Sequence, residues 1–400
     1  MKTVAIIGAG ASGIMAALNA RNDCKVILLD GNDKCGKKLL LTGNGRCNYW
    51  NENIDISMYE TDNAEKLSNI LSRCGEVLNC LEKMGVYPKI KNGYYYPYSN
   101  QAASIREIFQ KKIAESKIEF KTNFKACNIT KNNDTFVIKS SDGQTVTSDK
   151  VVIACGSKSY EKTGSDGSGY DLAKKLGHSI NKVHPSLCSL ISTGKFLKEW
   201  EKIRLDAEVR LFADGKFVKK DLGEIQLTST GISGICTFNI SGAAAKSISQ
   251  GKKVEVKINF MPCFKGGFYN WFDERCQKLG NVTLENALES IFNYKLMFVL
   301  LKKAQVSKDD MWEYLSEDKK KKLCSVVEEF TIEILGTESF DKSQVCTGGV
   351  PLAEIDSKTM ESKKQKGLYF AGEILDVDGR CGGYNLAFAF TSGYIAGKNI

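Results

Sequence analysis

Near-continuous apolar runs of five or six residues, each closed by glycine, recur over the first 190 residues and again close to the far end. Thr3 to Ile7 reads as a buried parallel strand and runs through Gly8-Ala9-Gly10-Ala11-Ser12-Gly13 into a helical stretch, Ile14 to Ala20. Lys25 to Leu29 reads as a second strand and ends in Asp30-Gly31. Lys150 to Ala154 is a third, ending in Cys155-Gly156-Ser157. Near the end, Gly367 to Phe370 closes on Ala371-Gly372-Glu373, and a glycine-opened helix is expected from Gly382-Gly383. Strand, glycine turn and helix in succession predict an α/β fold around a parallel sheet.

The middle has another texture. From about Ser192 to Glu338, Arg204 to Lys219 and Lys253 to Phe260 are β-rich, and Gly223 to Asn239 carries Thr, Ile and Gly in short runs. These predict a small antiparallel barrel or sheet. Thr283 to Asn293 and Lys308 to Leu335 show apolar residues at three- and four-residue steps, which predicts a compact helical unit. The expected organisation is one domain from 1–191 and 336–400, an inserted β-rich domain at 192–265 and a helical subdomain at 266–335.

The opening turn carries specific chemistry. Its first glycine permits a tight turn, the second lets a pyrophosphate approach the backbone, and the third lets helix and strand pack closely. The phosphates then rest on the amides at the positive end of the helix. Asp30 stands where a carboxylate accepts hydrogen bonds from the two ribose hydroxyls of an adenosine half. FAD and NAD both use such a unit, and the far end decides between them. A late strand ending in Gly372-Glu373 resembles the segment by which glutathione-reductase-like flavoproteins bind the ribityl and pyrophosphate of FAD. Gly164 to Gly169, with Asp166, reads either as a second anion-friendly or flavin-edge loop or as a helix N-cap.

Composition narrows the rest. The 56 basic and 47 acidic residues leave a charge of +9, spread along the chain, and the densest run, Lys319 to Lys322, reads as a solvated helix face. No basic cluster with interleaved aromatics stands out, so no nucleic-acid partner is expected. The 14 cysteines contain no CxxC pair, which points to a cytoplasmic protein with free thiols, and two histidines are too few for a His-rich metal site. The apolar stretch Val4 to Leu18 is broken by glycines that suit a nucleotide turn better than a signal peptide, and no run of about 18 apolar residues predicts a membrane span.

Four blocks extend the pattern: the opening glycine motif, Lys37 to Asn48, Thr163 to Gly167, and Thr347-Gly348-Gly349-Val350 through Gly383-Tyr384-Asn385-Leu386. On these blocks the chain resembles, over nearly its whole length, the BaiN-type (YhiN-like) FAD-dependent oxidoreductase family, which includes aminoacetone oxidase-like flavoproteins. The resemblance implies FAD contacts at Gly8, Gly10, Gly13, Asp30, Lys38, Gly45, Arg46, Cys47, Gly372, Asp378 and Gly383-Tyr384-Asn385. Around these, Ala11, Ser12, Gly31, Thr42, Gly43, Asn48, Ala154, Cys155, Gly156, Asp166, Glu373 and Leu386 complete the expected cofactor site.

The expected chemistry is two-electron transfer between the flavin and a small organic molecule. Arg46 is the candidate electrostatic contact, Tyr384 a pocket residue, and His184 either an acid–base group or a structural histidine. The segment Gly231-Ile232-Ser233-Gly234 is a candidate for facing the flavin. No second nucleotide motif follows a strand in the insert, so NADH or NADPH would visit the flavin transiently, or oxygen would take the electrons. A flavin-binding redox sensor with Cys47 at its centre and a tRNA-associated flavoprotein are the alternatives.

Overall fold

In the computed structural model, which describes residues 1–264 and 266–400, the apolar runs from the two ends of the chain build one sheet. Its spatial order is Leu368–Phe370, Lys150–Ile153, Lys2–Ile7, Cys24–Leu29 and Glu119–Lys121, with every neighbouring pair parallel. Ile7 lies in register with both Leu29 and Ile153, and Ile153 with Phe370. The loops that follow these strands therefore leave from one edge, where open α/β sheets bind ligands.

Small residues set how closely the helices approach. The opening helix is Ala11–Leu18 and the closing one Tyr384–Asn399. A Cβ on Gly393 would stand 2.2 Å from the carbonyl oxygen of Ser12, and one on Gly397 would stand 2.5 Å from that of Ala16. Two helices from opposite ends of the sequence thus touch backbone to backbone. An antiparallel sheet of Trp50–Asn51, Tyr94–Pro97 and Pro88–Lys91 belongs to the same unit.

The chain divides into two units, Met1–Pro185 with Ser339–Ile400, and Ser186–Glu338. The second unit holds a closed barrel in the order Leu190–Ser192, Gly231–Ser233, Lys216–Thr228, Ile203–Ala213, Val254–Asn259 and Phe330–Thr337. Its helices Phe268–Leu279, Tyr294–Ala304 and Glu317–Glu328 share one apolar cluster with the barrel. The domain boundary expected at residue 265 falls on the residue outside those described.

Two sequence expectations in this unit need correction. The helical pattern read over Lys308 to Leu335 stops at Glu328, and Phe330–Thr337 is a barrel strand. Its alternation of buried Phe330, Ile332 and Ile334 is a period of two that abuts the helical period without a glycine or proline between. The short β runs read over Gly223 to Asn239 end at Ser233, after which Ile235–Ser249 is a helix. Most of its residues are buried, so its small and polar residues leave no amphipathic stripe to read.

Candidate active site

At the carboxyl edge of the parallel sheet lies a cavity of about 430 Å³, lined entirely by the unit formed from both chain ends. The three glycines of the opening turn meet three different steric demands. Gly8 has φ +104°, and a Cβ there would stand 2.4 Å from the carbonyl oxygen of Ala154. Gly13 packs so tightly that its Cβ would lie 1.8 Å from the carbonyl oxygen of Gly8. Gly10, by contrast, lines the cavity and a Cβ there meets nothing within 4 Å, so the space beside this backbone is open to a ligand. Ala11 and Ser12, in the first turn of the helix, continue the same wall.

Asp30 and Gly31 follow on the next strand and also line the cavity. The Asp30 carboxylate accepts the Ala9 N–H at 2.6 Å on one oxygen and, on the other, the Asn32 N–H at 2.8 Å and side-chain amide at 2.9 Å. Three of about four acceptor positions are thereby filled. About one acceptor position of the carboxylate remains. Asp166, further round the wall, accepts the Ser168 N–H at 3.0 Å and pairs with Lys125 at 2.7 Å. Burial pushes its carboxyl up, but the Lys125 and Ser168 contacts outweigh this and hold it below the ordinary value.

Lys38, Thr42 and Glu373 also line the cavity. Glu373 takes the Lys38 ammonium at 2.6 Å on one oxygen; the other accepts the Ser157 hydroxyl at 2.7 Å, the Ser159 hydroxyl at 3.2 Å and the Cys346 N–H at 3.1 Å. This network ties the strand-end loop 155–159 to the closing segment. Ala154, Cys155 and Gly156 reach the cavity from that loop, and burial pushes the Cys155 thiol up to about 12, so it stays protonated. Asn385 and Leu386, at the opening of the closing helix, complete the lining. Asn385 binds both the N–H and the carbonyl of Gly379 at 2.8 Å, pinning the loop before the helix.

Several expected site residues stand outside this lining. Gly43, Gly45 and Cys47 form a turn with φ of +57°, +78° and +57°. Cys47 is fully buried, and burial pushes its thiol up to about 12, which makes it a poor redox sensor. Arg46 is exposed; its Nε–H donates to the Gly43 carbonyl at 3.3 Å and its guanidinium lies 5.1 Å from the Tyr96 ring centre. Asn48 lies beside Gly383, whose Cβ would stand 2.4 Å from the carbonyl oxygen of Trp50. Gly372, at φ +79°, lets the closing strand sit against Ser12. Asp378 is buried on the strand Val377–Gly379 in register with Glu60. Tyr384 is buried with its ring edge-on to Tyr59, and burial raises its phenol. His184 is buried on the strand Asn181–Ser186, apart from the cavity lining.

The wall also contains residues that sequence reasoning missed. Asn32, Lys37, Lys125, Thr163, Gln344 and Val345 all contribute. Asn32 carried a usable signal, an amide two residues after the acidic strand end. Lys125 and Gln344 carried none, because only the return of distant loops brings them here.

An oxidoreductase on a mixed α/β, Rossmann-type FAD-binding fold is the class that this architecture defines. The family described as HI0933-like protein Rossmann domain matches residues 2–399, and the chain belongs to that family. It is 37% identical over 405 residues to the 3-dehydro-bile acid delta(4,6)-reductase of Clostridium scindens, covering 100% of this chain and 98% of that protein. It is 27% identical over 400 residues to the ribosomal RNA dihydrouridine synthase of Escherichia coli K12, covering 99% and 97% respectively. A flavocytochrome c3 fumarate reductase in its open conformation superposes with a TM-score of 0.51 at 15% identity, covering 100% of this chain and 78% of that one, a likeness of fold. No helix among the described residues is long and apolar enough to cross a membrane.

Proposed function

We propose that the protein is an FAD-dependent reductase that adds a hydride to a carbon–carbon double bond conjugated with a carbonyl group in a small planar molecule. The observation that carries this reading is the cavity itself. Gly10 leaves open space against the amides of one helix, Asp30 stands at the next strand end, and Asn385 and Leu386 bring a second helix opening to the same cavity. That donor set suits FAD: amides for the pyrophosphate, a carboxylate for the ribose, and a positive helix end for the polar edge of the ring system. The reductase among the relatives supports the direction of the chemistry.

Bound FAD supplies the hydride chemistry at its N5. The chain's own residues bind and orient. Asp30, held by Ala9 and Asn32, fixes the adenosine half, and the Lys38–Glu373 network holds the closing segment against loop 155–159. The helix opening at Tyr384 supplies a fixed positive field without a titrating side chain. NADPH or NADH acts as a transient electron donor, and the protein works in the cytoplasm.

A second reading, reduction of a uracil ring within RNA, draws on the dihydrouridine synthases among the relatives. Uracil also presents a double bond conjugated with a carbonyl, so the same flavin chemistry serves both. Anaerobic titration separates the readings. Reduction of the flavin by NADPH or NADH, then its reoxidation by a cyclic enone, is the expected outcome; reoxidation only by uridine-containing RNA favours the second. In a separate aerobic assay, rapid peroxide formation from a small amine without nicotinamide, with O2 taking the two electrons, would replace both with an amine oxidase.

A further inference from the structure

The loop after the strand Lys150–Ile153 reaches across the sheet. In the strand order, Lys2–Ile7 and Cys24–Leu29 separate that strand from Glu119–Lys121. To meet the loop beyond Glu119–Lys121, the chain must cross both of their ends, roughly 14 Å at about 4.8 Å per strand. Residues 160–166 make that crossing. Asp166 pairs with Lys125, beyond the far strand, at 2.7 Å, and the Thr163 carbonyl accepts the side-chain amide of Asn32, beyond Cys24–Leu29, at 3.0 Å. All four residues line the cavity, as does the glycine turn that lies between. Glu161 and Lys162, near the apex, line it too and are exposed on their other side, so this segment is a strap between the Asp30 end of the cavity and solvent.

The strap is anchored at its ends and tied more weakly across the gap. The Tyr160 N–H donates to the Phe340 carbonyl at 3.3 Å, and the Ser157 carbonyl accepts the Ser165 hydroxyl at 2.9 Å and the Gly167 N–H at 3.1 Å. Tyr160, Gly164 and Gly167 have φ of +58°, +93° and +83° and place its corners. Across the gap, the Lys125 side chain is 58% exposed, and an ion pair this open to water holds only weakly. Asn32 divides its amide between the Thr163 carbonyl and the Asp30 carboxylate. Firm ends and weak ties are the requirements of a gate.

We infer that residues 160–166 gate the adenosine end of the cofactor site, with Lys125–Asp166 as the latch, and that opening of this gate limits how fast FAD enters and leaves. The inference rests on the reading of the cavity as an FAD site and adds to it the control of cofactor exchange. A latch that closes equally over the empty and the filled cavity raises both barriers alike. Breaking it changes the rates and leaves the affinity nearly as it was.

The test follows FAD binding to the flavin-stripped full-length protein and FAD release from the loaded one, both by flavin fluorescence. In Lys125→Met and Asp166→Asn alike, both rates should rise about twofold to fivefold, as loss of a half-exposed ion pair allows, with the dissociation constant changed less than about twofold. Plain attraction of the cofactor's phosphates predicts opposite signs instead: slower association for Lys125→Met and faster for Asp166→Asn. Added salt should quicken exchange in the wild type and in neither variant. Gly164→Ala, whose methyl would stand 2.5 Å from the Asn32 amide nitrogen, should quicken exchange through the other tie. Lys174→Ala loses an exposed pair with Asp171 on the helix Ser168–Lys175, outside the cavity lining, and should exchange FAD at the wild-type rate. Opposite signs in the two latch variants, faster release without faster association, or unchanged rates would overturn the gate and leave the FAD reading standing. A folded protein that takes up no FAD would overturn both.

Discussion

The ammonium of Lys38 and a carboxylate oxygen of Glu373 lie 2.6 Å apart although 335 residues separate them in the chain. Both side chains are mostly shielded, at 23% and 17% exposure, so neither charge is fully hydrated when its partner is lost. The pair joins the Lys37 to Asn48 block to the closing segment beside the cavity.

Glu373→Leu is expected to lower stability by about 2–4 kcal/mol, because it strands Lys38 and frees the hydroxyls of Ser157 and Ser159. The double variant K38M/E373L should lose less than the sum of the two single changes. Thermal or urea unfolding of the four proteins measures this coupling. Additive losses would show that the pair does not act as a unit.

Gly10 and Gly13 should separate binding from folding. Gly10 has φ −83°, which any L-residue adopts, and open space beyond it, so Gly10→Ala folds normally. Its methyl group occupies the approach to the helix amides, and FAD affinity should fall about tenfold or more, equivalent to ~1.4 kcal/mol. Gly13→Ala instead drives a methyl into the Gly8 carbonyl and should lower the melting temperature even without FAD. Flavin-fluorescence titration and thermal melts of the apoproteins distinguish the two.

His178 predicts an acid-side loss of stability. It is buried between the Glu354 carboxylate and the Ser362 hydroxyl, each at 2.7 Å. Burial lowers its pKa below the ordinary 6.5, and this outweighs the opposing pull of Glu354. The unfolded chain then binds more protons just below pH 6.5, so the stabilisation is complete above 6.5 and declines as pH falls through the folded-state value. His178→Gln should flatten that part of a melting-temperature profile; an unchanged profile would assign the decline to other groups.

Thiol reactivity should follow burial. Of the 14 free cysteines only Cys127 and Cys263 are exposed, while burial pushes the Cys47 thiol up to about 12. Native protein should therefore show a fast phase with a disulfide reagent dominated by Cys127 and Cys263, abolished in C127S/C263S. Fast labelling of Cys47, located by mass spectrometry, would reopen a redox-sensing role for it.

Local chemistry was legible without coordinates. The turn from Gly8 to Gly13, the acidic strand end at Asp30 and the glycine-opened helix at Tyr384 each depend on residues a few positions apart, and each stands where the pattern placed it. Steric permission for a tight turn is written in the residue that makes it. The family resemblance, too, rests on such short blocks. The strand Phe330–Thr337 was misread because its period of two abuts the helical period with no glycine or proline between, and the helix Ile235–Ser249 because burial on more than one side erases the amphipathic stripe that marks a helix.

What tertiary structure alone decided is which distant groups share a cavity or a face. The side-chain partners of Glu373 lie 335, 216 and 214 residues away in the chain, and no spacing rule reaches that far. Strand register likewise sets Lys89 beside Tyr96, and a separate turn swings Arg46 over the same ring. A sequence specifies the local shapes that its own steric limits allow; the charges and rings that meet across the fold are fixed by how the two ends of the chain pack into one sheet.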